Sequence, residues 1–168
     1  FFSKNIHFID YLKLRGSIAT LGKDAIGGWQ WMPRYGITSG AVFSGLSYGL
    51  QPKEVPNPKL TWEKSTSYNI GFDSQLLKNK LTFSLEYFFR HTYDILDNLT
   101  VSVPTTYGAS LPKENYSQVN SRGIEMELGY HNNVGNLQYD FSGNFSYAKS
   151  WWQKKDEAEN IRPYKSEI

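Results

Sequence analysis

NPKLTWEKSTSYNIGFDSQLLKNKLTFSLEYFFRHTYD, residues 57–94, decides how the rest of the chain is read. Its two halves alternate apolar and polar residues around a short polar break. In the first half Tyr68, Ile70, Phe72 and Leu76 share one side, and Asn69, Gly71, Asp73 and Gln75 the other. In the second half Leu81, Phe83, Leu85, Tyr87, Phe89 and Tyr93 alternate with Thr82, Ser84, Glu86, Arg90, Thr92 and Asp94. A period of two describes extended strands with one apolar and one polar face. If Lys78 and Asn79 form a two-residue loop, Ile70 stands opposite Tyr87, Phe72 opposite Leu85 and Leu76 opposite Leu81. A slip of one residue would destroy that matching. Asn79 tolerates the left-handed backbone such a loop requires.

An apolar strand face is covered either by a second sheet or by lipid, with the polar face then lining a lumen. Soluble strands average about 5–6 residues, whereas membrane-spanning strands need roughly 9–11. Residues 67–77 and 81–94 meet the longer figure, so the hairpin favours an all-β, antiparallel meander forming part of a transmembrane β-barrel.

Working outward, strands are expected near 11–20, 63–77, 81–96, 122–132 and 137–149. Ahead of the hairpin, Leu12, Leu14 and Ile18 alternate with Lys13, Arg15 and Ser17. After it, Ile124, Met126, Leu128 and Tyr130 alternate with Glu125, Glu127, Gly129 and His131. The last strand sets Leu137, Tyr139, Phe141, Phe145 and Tyr147 against Gln138, Asp140, Ser142, Asn144 and Ser146. With Val134 near the tip of the intervening turn, Leu128 falls opposite Phe141 and Tyr130 opposite Tyr139. Long loops are expected near 21–61, 97–121 and 150–168, and within the first Ala41–Tyr48 could form a short strand. Long and short connections thus alternate, as in outer-membrane barrels, whose short turns face the periplasm and long loops face outside. That orientation puts Tyr130 and Tyr139 near the periplasmic interface, and Tyr68, Tyr93 and Tyr147 near the outer one, as two aromatic girdles.

Composition fits this picture. The 168 residues contain no cysteine, which excludes a disulfide framework and thiolate metal sites, and a net charge of +2 argues against a nucleic-acid partner. The mean hydropathy is negative, but alternation averages a lipid face with a wet one. No apolar run is long enough for a transmembrane helix. With 12 Tyr and 10 Phe, the aromatic content suits strands and interfacial girdles. The chain opens Phe1-Phe2-Ser3 with neither an initiator methionine nor a signal peptide, and is expected to be a piece of a longer protein.

Four stretches carry a family resemblance: LKLRGSIATLGKDAIG (Leu12–Gly27), NPKLTWEKSTSYNIGFD (Asn57–Asp73), LEYFFRHTYDIL (Leu85–Leu96) and NYSQVNSRGIEMELGY (Asn115–Tyr130). In their order and spacing they resemble the C-terminal barrel region of SusC/RagA-type TonB-dependent outer-membrane transporters. The resemblance implies a barrel of about 22 strands, closed by an N-terminal plug. It also implies a SusD-like surface lipoprotein as lid and a TonB complex acting through the N-terminal part, in the bacterial outer membrane. The remaining barrel, the plug and outer-membrane lipid are then this segment's partners. Its stability should come from strands outside it, since alone it would present two bare edges and a large apolar face.

Candidate residues follow from the faces. The lipid-facing set is Tyr68, Ile70, Phe72, Leu76, Leu81, Phe83, Leu85, Tyr87, Phe89, Ile124, Met126, Leu128, Phe141 and Phe145; the lumen-facing set is Asp73, Glu86, Arg90, Glu125, Glu127 and Asp140. A mixed-charge wall of this kind suits the passage of polar solutes such as oligosaccharides or peptides. In the loops, Trp29, Trp31, Tyr35, Tyr107, Trp151 and Trp152 are candidates for stacking on solute at the outer mouth, while Trp62 suits a girdle. No catalytic residue, cofactor or metal is assigned. Gly45-Leu46-Ser47-Tyr48-Gly49 has the spacing of a nucleophile elbow, but Gln51, Pro52 and Pro56 follow where that motif needs a helix. Glu125 and Glu127 are spaced as ordinary wall carboxylates, and His7, His91 and His131 lie far apart in sequence without cysteine. Two other functions remain open on sequence grounds: a passive porin-like barrel without a plug, and a soluble β-sandwich carbohydrate-binding module.

Overall fold

The computed structural model describes residues 8–24, 26–42, 45–99 and 111–157. Those residues form seven strands and no helix: β1 (Ile9–Lys23), β2 (Arg34–Val42), β3 (Leu46–Glu54), β4 (Glu63–Leu76), β5 (Leu81–Asp97), β6 (Glu114–Val134) and β7 (Leu137–Lys154). β1, β4, β5, β6 and β7 make one sheet in that order, and β2 pairs antiparallel with β3 in a second. The described residues fall into two compact units. One draws on 8–21, 65–91 and 120–151, and the other on 22–64, 92–119 and 152–157.

In the first unit, the β4–β5 turn closes through Lys80 N–H donating to Leu77 O at 3.4 Å. Lys78 and Asn79, its two central residues, have φ of 58° and 63°, the sign a primed hairpin turn requires. The pairing that follows is visible in side chains. Ser74 Oγ donates to Phe83 O, Ser84 Oγ donates to Asp73 Oδ1, and the rings of Tyr68 and Phe89 lie 6.4 Å apart. Each pair is where a Lys78–Asn79 loop puts it. Between β5 and β6, His131 N–H donates to Lys80 O and Thr82 Oγ1 to Gly129 O, which sets Ser84 opposite Glu127 and Glu86 opposite Glu125.

Three expectations need correction. The β6–β7 turn closes at Gly135–Asn136, because Gly135 supplies the left-handed backbone (φ 63°). Val134 then meets Leu137, and Tyr130 stands opposite Phe141, not Tyr139. The bond between Ser121 Oγ and Ser150 Oγ at 2.7 Å fits this register. The shift is two residues, so every side chain keeps its face. Second, β6 begins at Glu114 and β7 runs to Lys154, where loops were expected. Apolar alternation stops at 121 and 149, but strand pairing does not, since polar side chains take over the contacts. Third, the segment 21–61 is not one loop: it holds the β2–β3 hairpin, with Ile37 opposite Leu50 and Ser39 opposite Tyr48. Ala41 and Tyr48, expected in one short strand, lie on opposite arms of it.

Among the described residues no hydrophobic side chain is buried, and the buried polar ones are Ser74 and Ser117. A domain that buried its own core would show the reverse. β6, with 21 residues, runs roughly 70 Å at about 3.4 Å per residue. That is far beyond a soluble strand.

Candidate functional site

The polar face of the first unit gathers most of the charged candidates. Strand register lays Gly71, Glu86, Glu125 and Ser146 in one row across β4–β7, and Asp73, Ser84, Glu127 and Asn144 in the next. Glu86, Glu125, Ser146 and the whole second row, together with Arg15 of β1, line a concavity of about 590 Å³. Met126 and Phe145 also border it, each between two polar neighbours in its strand. Arg15 ties the rows together. Its Nε lies 3.2 Å from Asp73 Oδ2, and its Nη2 lies 3.3 Å from both Glu86 Oε2 and Ser84 Oγ. Asp73 is held from its other oxygen by Ser84 Oγ at 2.8 Å. These side chains remain partly exposed, so each ion pair contributes at most about 1 kcal/mol. Their effect is to fix a wall that carries four carboxylates and one guanidinium, two of the carboxylates paired with Arg15. Such a wall offers many acceptors to hydroxyl and amine donors and repels anions.

Arg90 and Asp140 are not part of this concavity. Arg90 Nε donates to Ser67 Oγ at 3.1 Å, and Asp140 is exposed on β7. The sequence did not single out Arg15 as a site residue. Its parity put it on the polar face of β1, but its partners on β4 and β5 are more than fifty residues away.

The opposite face is predominantly apolar. Tyr68, Ile70, Tyr87, Ile124, Met126, Leu128, Phe141 and Phe145 are exposed, with Ile70 at 66% and Phe141 at 68%. Phe72, Leu76, Leu81, Phe83, Leu85 and Phe89 are half-buried. Phe72 meets Phe83 edge-on at 5.6 Å. Ser74 interrupts this apolar row and gives its hydroxyl proton to a backbone carbonyl, leaving no unpaired donor. At one end of the face the Tyr130 and Tyr139 rings lie 6.2 Å apart, and Asn132 Nδ2 donates to both phenol oxygens.

The aromatic candidates do not share one place. Trp29 and Trp31 lie in a turn closed by Met32 N–H donating to Trp29 O, and Tyr35 is in β2 opposite Pro52; all three are exposed. Trp151 and Trp152 belong to β7 and not to a loop, and each is half-buried beside a cation. The Arg122 guanidinium lies 5.4 Å from the Trp151 ring, and Lys155 Nζ lies 4.9 Å from the Trp152 ring. Tyr107 falls outside the described residues. Trp62 precedes β4 and packs its ring against Gly22. The Gly45–Gly49 motif enters β3, which runs on to Glu54, so no helix follows the serine.

A family model described as TonB dependent receptor-like, beta-barrel, matches residues 4–165. The TonB-dependent receptor P39 of Formosa agariphila is 29% identical over 147 residues, which cover 88% of this chain and 14% of that protein. The TonB-dependent receptor SusC of Bacteroides thetaiotaomicron is 27% identical over 154 residues, covering 89% of this chain and 15% of SusC. The chain therefore spans only about one seventh of the curated relatives it matches. Among solved structures, a chain of the RagAB peptide importer in its open-open state superposes with a TM-score of 0.77 at 22% identity, over 98% of this chain and 18% of that one. The closed-closed state of the same importer gives a TM-score of 0.74.

Proposed function

This chain belongs to the TonB dependent receptor-like β-barrel family of the outer membrane, and from that premise we propose that it forms five strands of the wall of an energised importer. The observation that carries the reading is the one-sided sheet. Its apolar face has no protein layer against it, while its polar face gathers Arg15, Asp73, Glu86, Glu125 and Glu127 around one concavity. Lipid covers the first face and a solute path runs along the second. Leu81 to Phe89 spans about 27 Å along β5. At a tilt of about 40° that is roughly 20 Å of depth, near the height of an outer-membrane barrel's apolar band.

The chain's own residues perform no covalent chemistry in this reading. Asp73, Glu86, Glu125 and Glu127 give a polar solute successive acceptors, and Arg15 offsets the repulsion between Asp73 and Glu86 and holds both carboxylates in place. Trp29, Trp31 and Tyr35 offer flat apolar faces to a solute arriving at the outer mouth. The solute class is oligosaccharide or peptide, captured beneath a SusD-like lipoprotein and released inward by a plug that the TonB complex displaces. The full barrel has about 22 strands.

Uptake of labelled oligosaccharides and peptides by cells making the full-length protein tests this against a passive pore. Removal of TonB is expected to lower uptake at least tenfold. Uptake that persists unchanged without TonB would identify a porin-like barrel instead. A full-length protein that stays monodisperse without detergent would contradict the membrane reading altogether.

A further inference from the structure

We propose that Asn57 and Asn115 form a carboxamide latch that fixes the stem of the β2–β3 hairpin, making it a held post and not a free loop. Within the second unit, residues 55–62 lead from β3 back to β4 outside any strand. Asn115, early in β6, holds them. Its Oδ1 accepts from Thr61 N–H at 2.9 Å, and its Nδ2 donates to Thr61 O at 2.6 Å. One side chain thus pairs both backbone groups of Thr61, as a neighbouring strand would. The same Nδ2 donates to Asp94 O at 2.7 Å. Asp94 has φ of 56° inside β5, a left-handed conformation that interrupts the regular strand and frees its carbonyl for a side chain to take.

Asn57 makes the second half of the latch. Its Nδ2 donates to Lys113 O at 2.9 Å, two residues before Asn115, and its Oδ1 accepts from Lys59 N–H at 3.0 Å. Its backbone N–H donates to Gln30 O, just past Trp29, and its carbonyl accepts from Leu60 N–H. The segment between β1 and β4 is therefore tied at two points: at Gln30 through the Asn57 backbone, and at Thr61 through the Asn115 side chain. The ties use neutral amides. Unlike the Lys23–Glu63 pair at 3.8 Å, whose lysine is exposed, they are not screened by salt. The latch also decides where the exposed rings of Trp29 and Trp31 are held, whatever solute the mouth receives.

Amide hydrogen exchange on the full-length protein in detergent tests the latch, with segments 65–91 and 120–151 as internal references. Asn115→Ala is expected to speed exchange across 55–62 at least tenfold and leave both references unchanged. Asn115→Asp is the sharper probe. It keeps size and acceptor but turns a carboxylate oxygen toward the carbonyls of Thr61 and Asp94. It should therefore loosen 55–62 at pH 7 at least as much as alanine does. Near pH 4, where the new carboxyl regains a proton to donate, protection should return several-fold after correction for intrinsic exchange. Should Asn115→Ala fail to fold, Asn57→Ala breaks the tie to Lys113 alone and should speed exchange across 55–60 and 111–113. The latch is overturned if Asn115→Asp protects 55–62 as the native residue does, if no variant changes that segment, or if the references loosen equally.

Discussion

Replacing Leu85 by lysine is expected to cost the intact protein about 2–4 kcal/mol of folding stability in a bilayer. Leu85 is the central residue of the row Leu81, Phe83, Leu85, Tyr87 and Phe89 on the apolar face of β5. A lysine there must carry its ammonium into hydrocarbon or bend its stem toward a distant interface. Ser84→Lys, one residue away, points into the wall beside Asp73 and Glu127. It should cost no more than about 1 kcal/mol: the Ser84 bonds to Asp73 and Arg15 are lost and the ammonium meets Arg15, but carboxylates and water offset the new charge. Denaturant unfolding of both variants in lipid vesicles compares them directly. Equal losses at 84 and 85 would mean that the two faces of β5 meet the same environment.

Gly71→Ala is expected to destabilise by about 1–3 kcal/mol, through crowding and not through environment. A Cβ at residue 71 would sit 2.6 Å from Leu85 O and 3.2 Å from Glu86 Cα. Both are backbone atoms of the paired strand, so neither can rotate away. β4 and β5 would have to separate, and Asp73, two residues on, would lose its placement against Ser84 and Arg15. Gly143→Ala is the control. A Cβ there meets nothing within 4 Å, and the expected change is within about 0.5 kcal/mol. The same unfolding measurement reads both, and a Gly71→Ala protein as stable as Gly143→Ala would show that the β4–β5 approach is looser than described.

Local alternation made much of this architecture readable in the sequence. Tyr68 through Leu76 and Leu81 through Phe89 declare their faces by parity, and Asn79 marks the turn that pairs them. Three things depended on contacts that alternation does not encode. Arg15 completes the charged wall only because β1 lies beside β4 across a connection of some forty residues. Phe88 breaks the polar pattern of its face, and the structure gives the reason: its ring lies over Gly123, where a Cβ would come within 2.6 Å of it. Asn115 and Ser117 extend β6 beyond its apolar stretch through side-chain bonds, Ser117 Oγ donating to Asp97 Oδ2 at 2.6 Å. A polar strand stabilised in this way looks like a loop in sequence. The β2–β3 hairpin was hidden likewise, since glycines and prolines surround its short arms.

The most direct test of the two-faced sheet is a cysteine scan along β5 of the full-length protein in bilayers, with any cysteine outside this cysteine-free segment first replaced by serine. Spin labels placed singly at 82 through 87 would be probed by oxygen, which concentrates in lipid, and by a water-soluble paramagnetic nickel complex. Labels at 83, 85 and 87 are expected to be relaxed by oxygen, and those at 82, 84 and 86 by nickel. A profile without that alternation, or with labels at 83 and 85 shielded from both reagents beneath protein, would contradict the account.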